Sequence, residues 1–259
     1  MLKLIYSLYA FAKAIVTLPQ NKMKMSQLNG KVALITGGTK GIGYGIAEAL
    51  LTKGMKVAIT GRSKASATQA AASLGPNAIG IQADVKSLES QEKAVVAVIE
   101  AFGQLDVLLA NAGVGHFASI EDMSVTQWED TIDTNLTGVF LSVKASLAAI
   151  KKSKGYIITI SSLAGTNFFA KGTAYNASKF GLTGFTQALM LDVRNDDVKV
   201  TTIMPGSVSS HFGGRSPEDG KDWRIQPEDL GQMVVDLLQM HPRTLPSKIE
   251  VRPSKTASS

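Results

Sequence analysis

The sequence contains no cysteine, and this absence excludes disulfide bonds, thiolate zinc sites and a cysteine nucleophile. Its three histidines are scattered and have none of the spacings of a metal site, so no metal is expected. The 8 prolines against 24 glycines exclude collagen-like and low-complexity classes. With 259 residues, 44% of them hydrophobic, the chain can bury a sizeable core.

Acidic residues are few at both ends of the chain, and the formal net charge is +6. Residues 1–24 carry four lysines and no acid, and residues 241–259 carry four basic residues and one acid. The remaining residues, 25–240, hold 19 basic and 20 acidic side chains. Binding to nucleic acid needs a basic stripe on the folded domain, so no nucleic-acid partner is expected.

The chain divides into an N-terminal extension, residues 1–24, and a single domain, residues 25–259. Residues 2–18 are mostly apolar but are short for a membrane span and have no convincing cleavage site. Three interpretations stay open: a weak membrane-surface anchor or signal-like segment, an extra helix on the domain, or sequence upstream of a start at Met23 or Met25. Any membrane contact is expected from residues 1–18 alone, and the predicted location is cytoplasmic.

Short β-branched runs alternate with longer helical stretches from residue 31 onward. This alternation predicts an α/β fold: a Rossmann-type doubly wound parallel sheet of about seven strands, with helices on both faces. In such a sheet ligands bind beyond the carboxyl ends of the strands. The strands are predicted at 31–36, 56–60, 78–82, 106–110, 155–161, 199–204 and 248–251. The helices are predicted at 41–53, 66–74, 88–102, 125–151, 173–194 and 227–240.

A glycine-rich loop, TGGTKGIG over residues 36–43, follows the first predicted strand. Its glycines at 37, 41 and 43 allow a tight turn, close backbone approach to a phosphate and close packing of helix on strand. The helix that begins here directs its N-terminal N–H groups at the same place. The predicted contacts to a dinucleotide are Thr36, Gly37, Thr39, Lys40, Gly41, Ile42 and Gly43.

Tyr175 and Lys179 are four residues apart on a predicted helix and therefore share one face. A nearby ammonium lowers the pKa of a phenol from about 10, which favours proton exchange nearer neutral pH. Ser161 and Ser162 end the fifth predicted strand. Together with the TGxxxGxG loop, these features make residues 28–251 resemble the short-chain dehydrogenase/reductase family.

The resemblance implies a catalytic tetrad of Asn135, Ser162, Tyr175 and Lys179. In that family the tyrosine gives its proton to the substrate oxygen, and the serine donates a hydrogen bond to the same oxygen. The lysine lowers the pKa of the tyrosine and binds the nicotinamide ribose. The asparagine holds a water that connects the lysine to bulk solvent.

The cofactor is predicted to be NADP(H), because the second strand ends in Gly61-Arg62-Ser63 without a carboxylate. An acid at that place would favour NAD, whereas Arg62 and Lys40 can pair with a 2′-phosphate. Ser63 is taken into the same site. The resemblance adds further cofactor contacts: Asp84, Val85, Asn111, Ala112, Gly113, Pro205, Gly206, Val208 and Ser210.

The substrate pocket is expected between residues 113–117, 163–170 and a mobile lid at 207–225. Five aromatic residues make it apolar: Phe117, Phe168, Phe169, Phe212 and Trp223. His116 and His211 are candidates for contact with a polar substrate group, with an unused loop position as the alternative for each.

The predicted function is NADP(H)-dependent hydride transfer to or from a small or acyl-chain carbonyl or alcohol. A 3-oxoacyl-carrier-protein reductase is an alternative, although the C-terminal sequence lacks the DGG-like turn that many of those enzymes have. A non-catalytic NADP-binding sensor is another. The resemblance also implies a homodimer or homotetramer, assembled through the helices near 125–151 and 173–194.

Overall fold

The computed structural model describes residues 27–214, 216–219 and 223–255. The extension predicted at residues 1–24 lies outside them, so its three interpretations remain predictions, as does the cytoplasmic location. Within the described ranges, no helix has the length and apolar character needed to cross a membrane.

Seven strands form one sheet in the order β3-β2-β1-β4-β5-β6-β7, and every neighbouring pair is parallel. This order confirms the predicted Rossmann-type doubly wound architecture. The strands are β1 (Val32–Ile35), β2 (Lys56–Gly61), β3 (Ala78–Gln82), β4 (Val107–Ala110), β5 (Tyr156–Ile160), β6 (Lys199–Pro205) and β7 (Lys248–Val251). The helices are α1 (Gly41–Thr52), α2 (Lys64–Leu74), α3 (Leu88–Phe102), α4 (Val125–Ile132), α5 (Gly138–Ser153), α6 (Thr173–Val193) and α7 (Pro227–Gln239).

The side chains of β1 alternate between two hydrophobic cores, one on each face of the sheet. Ala33 and Ile35 pack in the core that includes buried residues of α1 and α7. Val32 and Leu34 pack in the core that includes buried residues of α3, α5 and α6. Burial on both faces explains why the central strands read as continuous apolar runs.

The helical region predicted across 125–151 is present and continuous, but it is not uniformly α-helical: a π-helical turn, Asp133–Thr137, lies between α4 and α5. At this turn Asn135 is buried, and its side-chain amide bonds to the backbone of Val114 and to Ser178 Oγ. These partners are distant in sequence, so local periodicity carried no sign of the turn. π-turns widen a helix by one residue and are frequent at functional sites.

The other boundaries lie within two residues of the predictions, which is the ordinary scatter of helix and strand ends. The helix predicted from residue 66 begins at Lys64, because Ser63 is its N-cap and accepts a hydrogen bond from the Ser66 N–H. The order in which strands are added to the sheet reverses at β1, which has β2 on one side and β4 on the other. The carboxyl ends of these two strands therefore flank a crevice.

Candidate active site

One cleft of about 1500 Å³ lies beyond the carboxyl ends of the strands. We name two parts of it for use below. The glycine-loop end is lined by residues from 37–42, 60–62, 83–86 and 111–113. The aromatic end is lined by residues from 114–117, 163–171, 207–214 and 252–255.

Four hydrogen bonds tie the loop after β1 to the loop after β4. The Thr36 hydroxyl accepts from the backbone N–H groups of Asn111 (3.0 Å) and Ala112 (3.1 Å). The Asn111 amide donates to the carbonyls of Thr36 (2.9 Å) and Gly37 (3.0 Å). Thr36 is buried, so it shapes the glycine-loop end from behind the cleft wall.

Two glycines of the loop have no room for a side chain. A Cβ on Gly37 would lie 2.9 Å from Ala112 Cα, and one on Gly43 would lie 2.6 Å from Asn111 Nδ2. Gly37 also has a φ of 64°, which disfavours other residues. Lys40, the N-cap of α1, makes no side-chain cap, so no cap side chain covers the first N–H groups of this helix. The loop thus fits a phosphate group.

Lys40 and Arg62 both line the glycine-loop end with exposed side chains. The end of β2 packs on the loop, since a Cβ on Gly61 would lie 2.7 Å from Thr39 Cγ2, so the residues next to these two positions border the same end of the cleft. Neither cation forms an ion pair with another described residue. Two cations without a described ion-pair partner, beside the glycine loop, could pair with an anionic group at this end of the cleft.

Lys179 is buried on α6, and its Nζ donates to the carbonyl of Ile160 at 2.9 Å. The same Nζ lies 5.7 Å from the centroid of the Tyr175 ring. Burial lowers the pKa of Lys179 from 10.5 to about 8, because a desolvated ammonium is less stable than a hydrated one. At neutral pH this lysine still carries its proton and places a positive charge beside the phenol.

Ser162 follows β5, and its hydroxyl accepts from the Ala164 N–H at 3.1 Å and lies 3.4 Å from the Pro205 carbonyl. Ser161, its neighbour, instead faces α6, where it contacts the Lys179 carbonyl and Thr183. Ser162 and not Ser161 is therefore the serine whose hydroxyl is placed beside the proline-glycine turn after β6. Ser162 is also the serine that the family resemblance implies for the tetrad.

Asn135 reaches the site from the π-turn, although it lies behind the cleft wall. Its Oδ1 accepts from the Val114 N–H at 2.8 Å, and its Nδ2 donates to the Val114 carbonyl and to Ser178 Oγ. A Cβ on Gly113 would lie 3.2 Å from this Oδ1 and 3.8 Å from Lys179 Nζ. The two groups thus face the same glycine, and the water-holding role of Asn135 remains a prediction.

Aromatic rings from separate loops surround Tyr175. Its ring centroid is 5.4 Å from that of Phe117 and 5.6 Å from that of Phe212. Phe169 packs on Phe117 at 6.0 Å. All three predicted pocket segments contribute residues to the cleft, and Phe168 and Trp223 line it as well. The aromatic end therefore offers apolar walls next to the phenol.

His116 lines the cleft as predicted, but it also has a protein partner that sequence reasoning missed. Its Nε2 lies 3.0 Å from Asp130 Oδ2, and Lys86 Nζ lies 3.0 Å from Asp130 Oδ1. The His116 hydrogen bond, helped by Lys86, lowers the pKa of Asp130 below its usual range. His211 lines the aromatic end.

Most predicted site residues line the cleft, and four do not: Thr36, Gly43, Ser63 and Asn135. Ser63 was expected at the cofactor, yet its hydroxyl caps α2 instead. Sequence reasoning missed Asp130, Lys171, Arg252 and Lys255, which do line the cleft. A signal for Arg252 existed, since pairing of β7 with β6 brings the residues after β7 beside Pro205 and Gly206. The described residues include no group of three or more potential metal ligands.

The three-dimensional arrangement is similar to that of two solved enzymes. An alcohol dehydrogenase from the archaeon Thermococcus sibiricus, complexed with 5-hydroxy-NADP, matches with a TM-score of 0.82 at 29% identity, covering 88% of this chain and 99% of that one. A 3-ketoacyl-(acyl-carrier-protein) reductase from Brucella melitensis, complexed with NADH, matches with a TM-score of 0.82 at 26% identity, covering 88% and 98%. A nicotinamide cofactor is thus supported for this fold and site.

Sequence comparison agrees with the structural one. A trans-4-hydroxycyclohexanecarboxylate dehydrogenase of Sinomonas cyclohexanicum is 39% identical over 189 residues, which are 70% of this chain and 73% of that protein. The family model for short chain dehydrogenases matches residues 31–220. The resemblance seen in the glycine loop and the Tyr175–Lys179 spacing is therefore confirmed, and the chain belongs to the short-chain dehydrogenase family of oxidoreductases.

Proposed function

We propose that this oxidoreductase uses NADP(H) and acts on the carbonyl, or the corresponding alcohol, of a small or acyl-chain substrate. The observation that carries the cofactor choice is that Lys40 and Arg62 line the glycine-loop end and have no ion-pair partner among the described residues. A planar guanidinium matches a phosphate through two parallel hydrogen bonds. The residues at the end of β2, Gly61-Arg62-Ser63, include no carboxylate that could accept hydrogen bonds from the ribose hydroxyls of NAD.

The residues present fit a dinucleotide in order along the cleft. The glycine loop, with the uncapped N–H groups that begin α1, forms the part of the wall that would hold a pyrophosphate. Asp84, Val85 and the Asn111–Gly113 turn form the next part. Pro205, Gly206, Val208 and Ser210 line the part nearest Ser162. When bound, the cofactor supplies or accepts the hydride.

The chain's own residues then handle the proton. In the reductive direction Tyr175 donates its phenolic proton to the substrate oxygen, and Ser162 donates a hydrogen bond to the same oxygen. The protonated Lys179 stabilises the resulting phenolate. An ammonium has three donors; one is held by the Ile160 carbonyl, which leaves two for ribose hydroxyls.

The experiment is a comparison of NADPH and NADH oxidation over a panel of small ketones, aldehydes and 3-oxoacyl thioesters. We expect NADPH to be preferred at least about tenfold, and Arg62→Leu to raise the KM for NADPH about tenfold with little effect on NADH. The matched control is Arg243→Leu, because Arg243 is exposed and lies outside the cleft. Preference of the wild-type enzyme for NADH would contradict the cofactor proposal.

A 3-oxoacyl thioester is a second candidate substrate, favoured by the structural match to the Brucella melitensis reductase. The missing DGG-like turn at the C-terminus counts against the acyl-carrier-protein form of that substrate. The non-catalytic alternative predicts cofactor binding without turnover of any member of the panel. The same assay therefore distinguishes a reductase of small carbonyl compounds, a reductase of 3-oxoacyl thioesters and a non-catalytic cofactor-binding protein.

We also propose a homodimer or homotetramer assembled through α5 and α6. These helices carry exposed apolar side chains, among them Phe140, Phe180 and Leu191, and Phe140 packs on Phe185 of the other helix. Exposed large apolar side chains on neighbouring elements are typical of a protein interface. We expect light scattering to give a dimer or tetramer, and Phe180→Glu to shift it toward monomer. A monomeric wild-type protein at micromolar concentration would contradict the proposal.

A further inference from the structure

We infer that the substrate carries an anionic group, a carboxylate or a phosphate, and that this group is held at the aromatic end by Arg252 and Lys171. The inference rests on the proposed function and names the substrate class for the same site. It depends on the charges that line the cleft, on how the backbone places two cations, and on the aromatic rings that line the same end.

The charges along the cleft are strongly unbalanced. Seven lysine or arginine side chains line it against two carboxylates, those of Asp84 and Asp130, among the described residues. Asp130 is already engaged by Lys86 and His116, and Asp84 lies at the glycine-loop end. Four of the cations have a place at or beside the proposed cofactor site: Lys40, Arg62, Lys86 and Lys179. Three further cations remain at the aromatic end: Lys171, Arg252 and Lys255.

Arg252 is fixed close to the proposed reaction centre by the backbone on both sides of it. The Val251 carbonyl accepts from the Gly206 N–H at 2.8 Å, and a Cβ on Gly206 would lie 3.1 Å from the Pro253 ring. Gly206 directly follows Pro205, whose carbonyl lies 3.4 Å from the Ser162 hydroxyl. The backbone therefore holds Arg252 next to Gly206 and Pro205. Pro205 in turn contacts Ser162, the serine that is proposed to bind the substrate oxygen.

Glu250 orients the Arg252 guanidinium without closing it off. One Nη2 contact at 3.0 Å joins the two side chains, and Thr166 donates to the other Glu250 oxygen at 3.3 Å. Glu250 does not line the cleft, whereas Arg252 does and remains 58% exposed. A guanidinium has five donors, so the group keeps donors for an anion in the cleft.

Lys171 approaches from the other loop, four residues before Tyr175. Its φ is 63°, a left-handed conformation that an ordinary side chain adopts at some cost. The loop is held in this shape by buried Asn176, which donates to the carbonyls of Ala164 and Asn167. The Lys171 side chain lines the cleft and has no ion-pair partner among the described residues.

Apolar walls strengthen the effect of these charges. Phe117, Phe169 and Phe212 line the same end of the cleft, and a cleft with cations and low-dielectric walls concentrates the positive potential. A neutral carbonyl compound would gain nothing from that potential. A carbonyl compound that carries a carboxylate or a phosphate would be attracted and oriented by it.

The test compares matched pairs of substrates that differ only in the anionic group. One pair is acetoacetate and methyl acetoacetate, which tests a carboxylate. The other is acetoacetyl-CoA and the acetoacetyl thioester of N-acetylcysteamine, which tests the phosphates of a thioester carrier. We expect kcat/KM to favour the anionic member of at least one pair by about tenfold, and this preference to weaken as salt screens exposed charges.

The variants are Arg252→Gln and Lys171→Gln, with Lys152→Gln as the control, because Lys152 is an exposed cation on α5 outside the cleft. We expect each cleft variant to lower the anionic preference about fivefold, and the control to leave it unchanged. Equal kcat/KM for both members of both pairs, or a preference that survives both cleft variants, would overturn the inference while the proposed function stood.

A binding measurement separates failure of the inference from failure of the proposed function. Acetoacetate and acetoacetyl-CoA are titrated into NADPH-loaded Tyr175→Phe protein, with quenching of NADPH fluorescence as the signal, so that no turnover is needed. Binding of either anion that weakens about fivefold with Arg252→Gln supports the inference even if no substrate is reduced. Absence of any binding, or binding that is insensitive to Arg252, overturns it.

Discussion

The glycine-loop end and the aromatic end of the cleft are held together by different forces. At the glycine-loop end, hydrogen bonds join the buried Thr36 to Asn111 and Ala112, and a side chain on Gly37 or Gly43 would clash with protein atoms. At the aromatic end, Phe117 and Phe169 touch through ring contacts while 42% and 48% exposed. Buried, fully paired polar groups specify one geometry, whereas exposed rings on loops allow several.

This difference matches the two tasks of a dinucleotide-dependent oxidoreductase. A cofactor of constant shape suits the rigid end, and a substrate that differs between relatives suits the end built from loops. Changes at the glycine-loop end should therefore alter stability and cofactor affinity together, whereas changes at the aromatic end should alter substrate kinetics alone. The predictions below test that division.

The largest effect is expected where the two ends meet, at Tyr175. Tyr175→Phe removes the proposed proton donor, and we expect kcat to fall by about 10²–10⁴-fold while NADPH affinity changes less than about threefold. The control is Tyr156→Phe, because that buried hydroxyl bonds Thr201 in the sheet and does not line the cleft. It should cost about 1 kcal/mol of stability and little kcat. Comparable kcat losses in both variants would contradict the assignment.

We expect the buried ammonium of Lys179 to lower the free energy of unfolding of the protein. Its pKa is about 8 in the folded protein and 10.5 ordinarily, so between these values the unfolded chain binds a proton that the native state does not. Stability contributed by this group therefore rises with pH across that window. We expect Lys179→Met to abolish activity but to raise the free energy of unfolding at pH 7 by up to about 3 kcal/mol, with a smaller gain at pH 10. Urea unfolding at both pH values measures this.

The outcome that would contradict the burial argument is a Lys179→Met protein destabilised equally at both pH values. That result would mean that the pKa of Lys179 is the same in the folded and unfolded chains, because the bond from Nζ to the Ile160 carbonyl offsets the desolvation of the ammonium. The titration of Lys179 should also affect the activity of the wild-type enzyme. We expect carbonyl reduction to decline as pH rises through about 8, where Lys179 loses its proton, because the Tyr175 phenolate then lacks a neighbouring positive charge.

Substitution of one asparagine at each end allows a direct comparison of the glycine-loop end with the aromatic end. Asn111→Ala leaves the carbonyls of Thr36 and Gly37 without their side-chain donor, so we expect a loss of about 2 kcal/mol and weaker NADPH binding. Asn167→Ala removes two longer bonds, to the Leu163 carbonyl and Thr166 Oγ1, in an exposed loop. It should change stability by less than about 0.5 kcal/mol. Thermal unfolding and cofactor titration measure both, and similar losses would remove the distinction between the ends.

The smallest effect is expected for Phe169→Leu. The change removes one ring contact with Phe117 at the aromatic end. Both rings are partly exposed, so the free energy of unfolding should fall by less than about 1 kcal/mol. We expect the substrate KM to rise about threefold while the KM for NADPH is unchanged. A matching rise in both KM values would show that the two ends are coupled.

Much of this arrangement could be predicted because it is local in sequence. The bounds of β3, α3 and β7 match their predictions residue for residue, since each has a clear periodicity and the helix has a serine cap. The glycine loop and the Tyr175–Lys179 spacing likewise carry their chemistry in a few neighbouring residues. The π-turn at Asn135 and the bond between His116 and Asp130 could not be predicted, because their partners are distant along the chain.

The sequence by itself determined the alternation of strands and helices, the phosphate cradle, and the pairing of a phenol with an ammonium. Each of these depends on backbone geometry or on spacing within one element. Only the tertiary structure decided that Asn111 locks two loops together, that burial shifts the pKa of Lys179, and that Arg252 faces the site. Those features arise from desolvation and contact between segments far apart in sequence, which exist only once the sheet has formed.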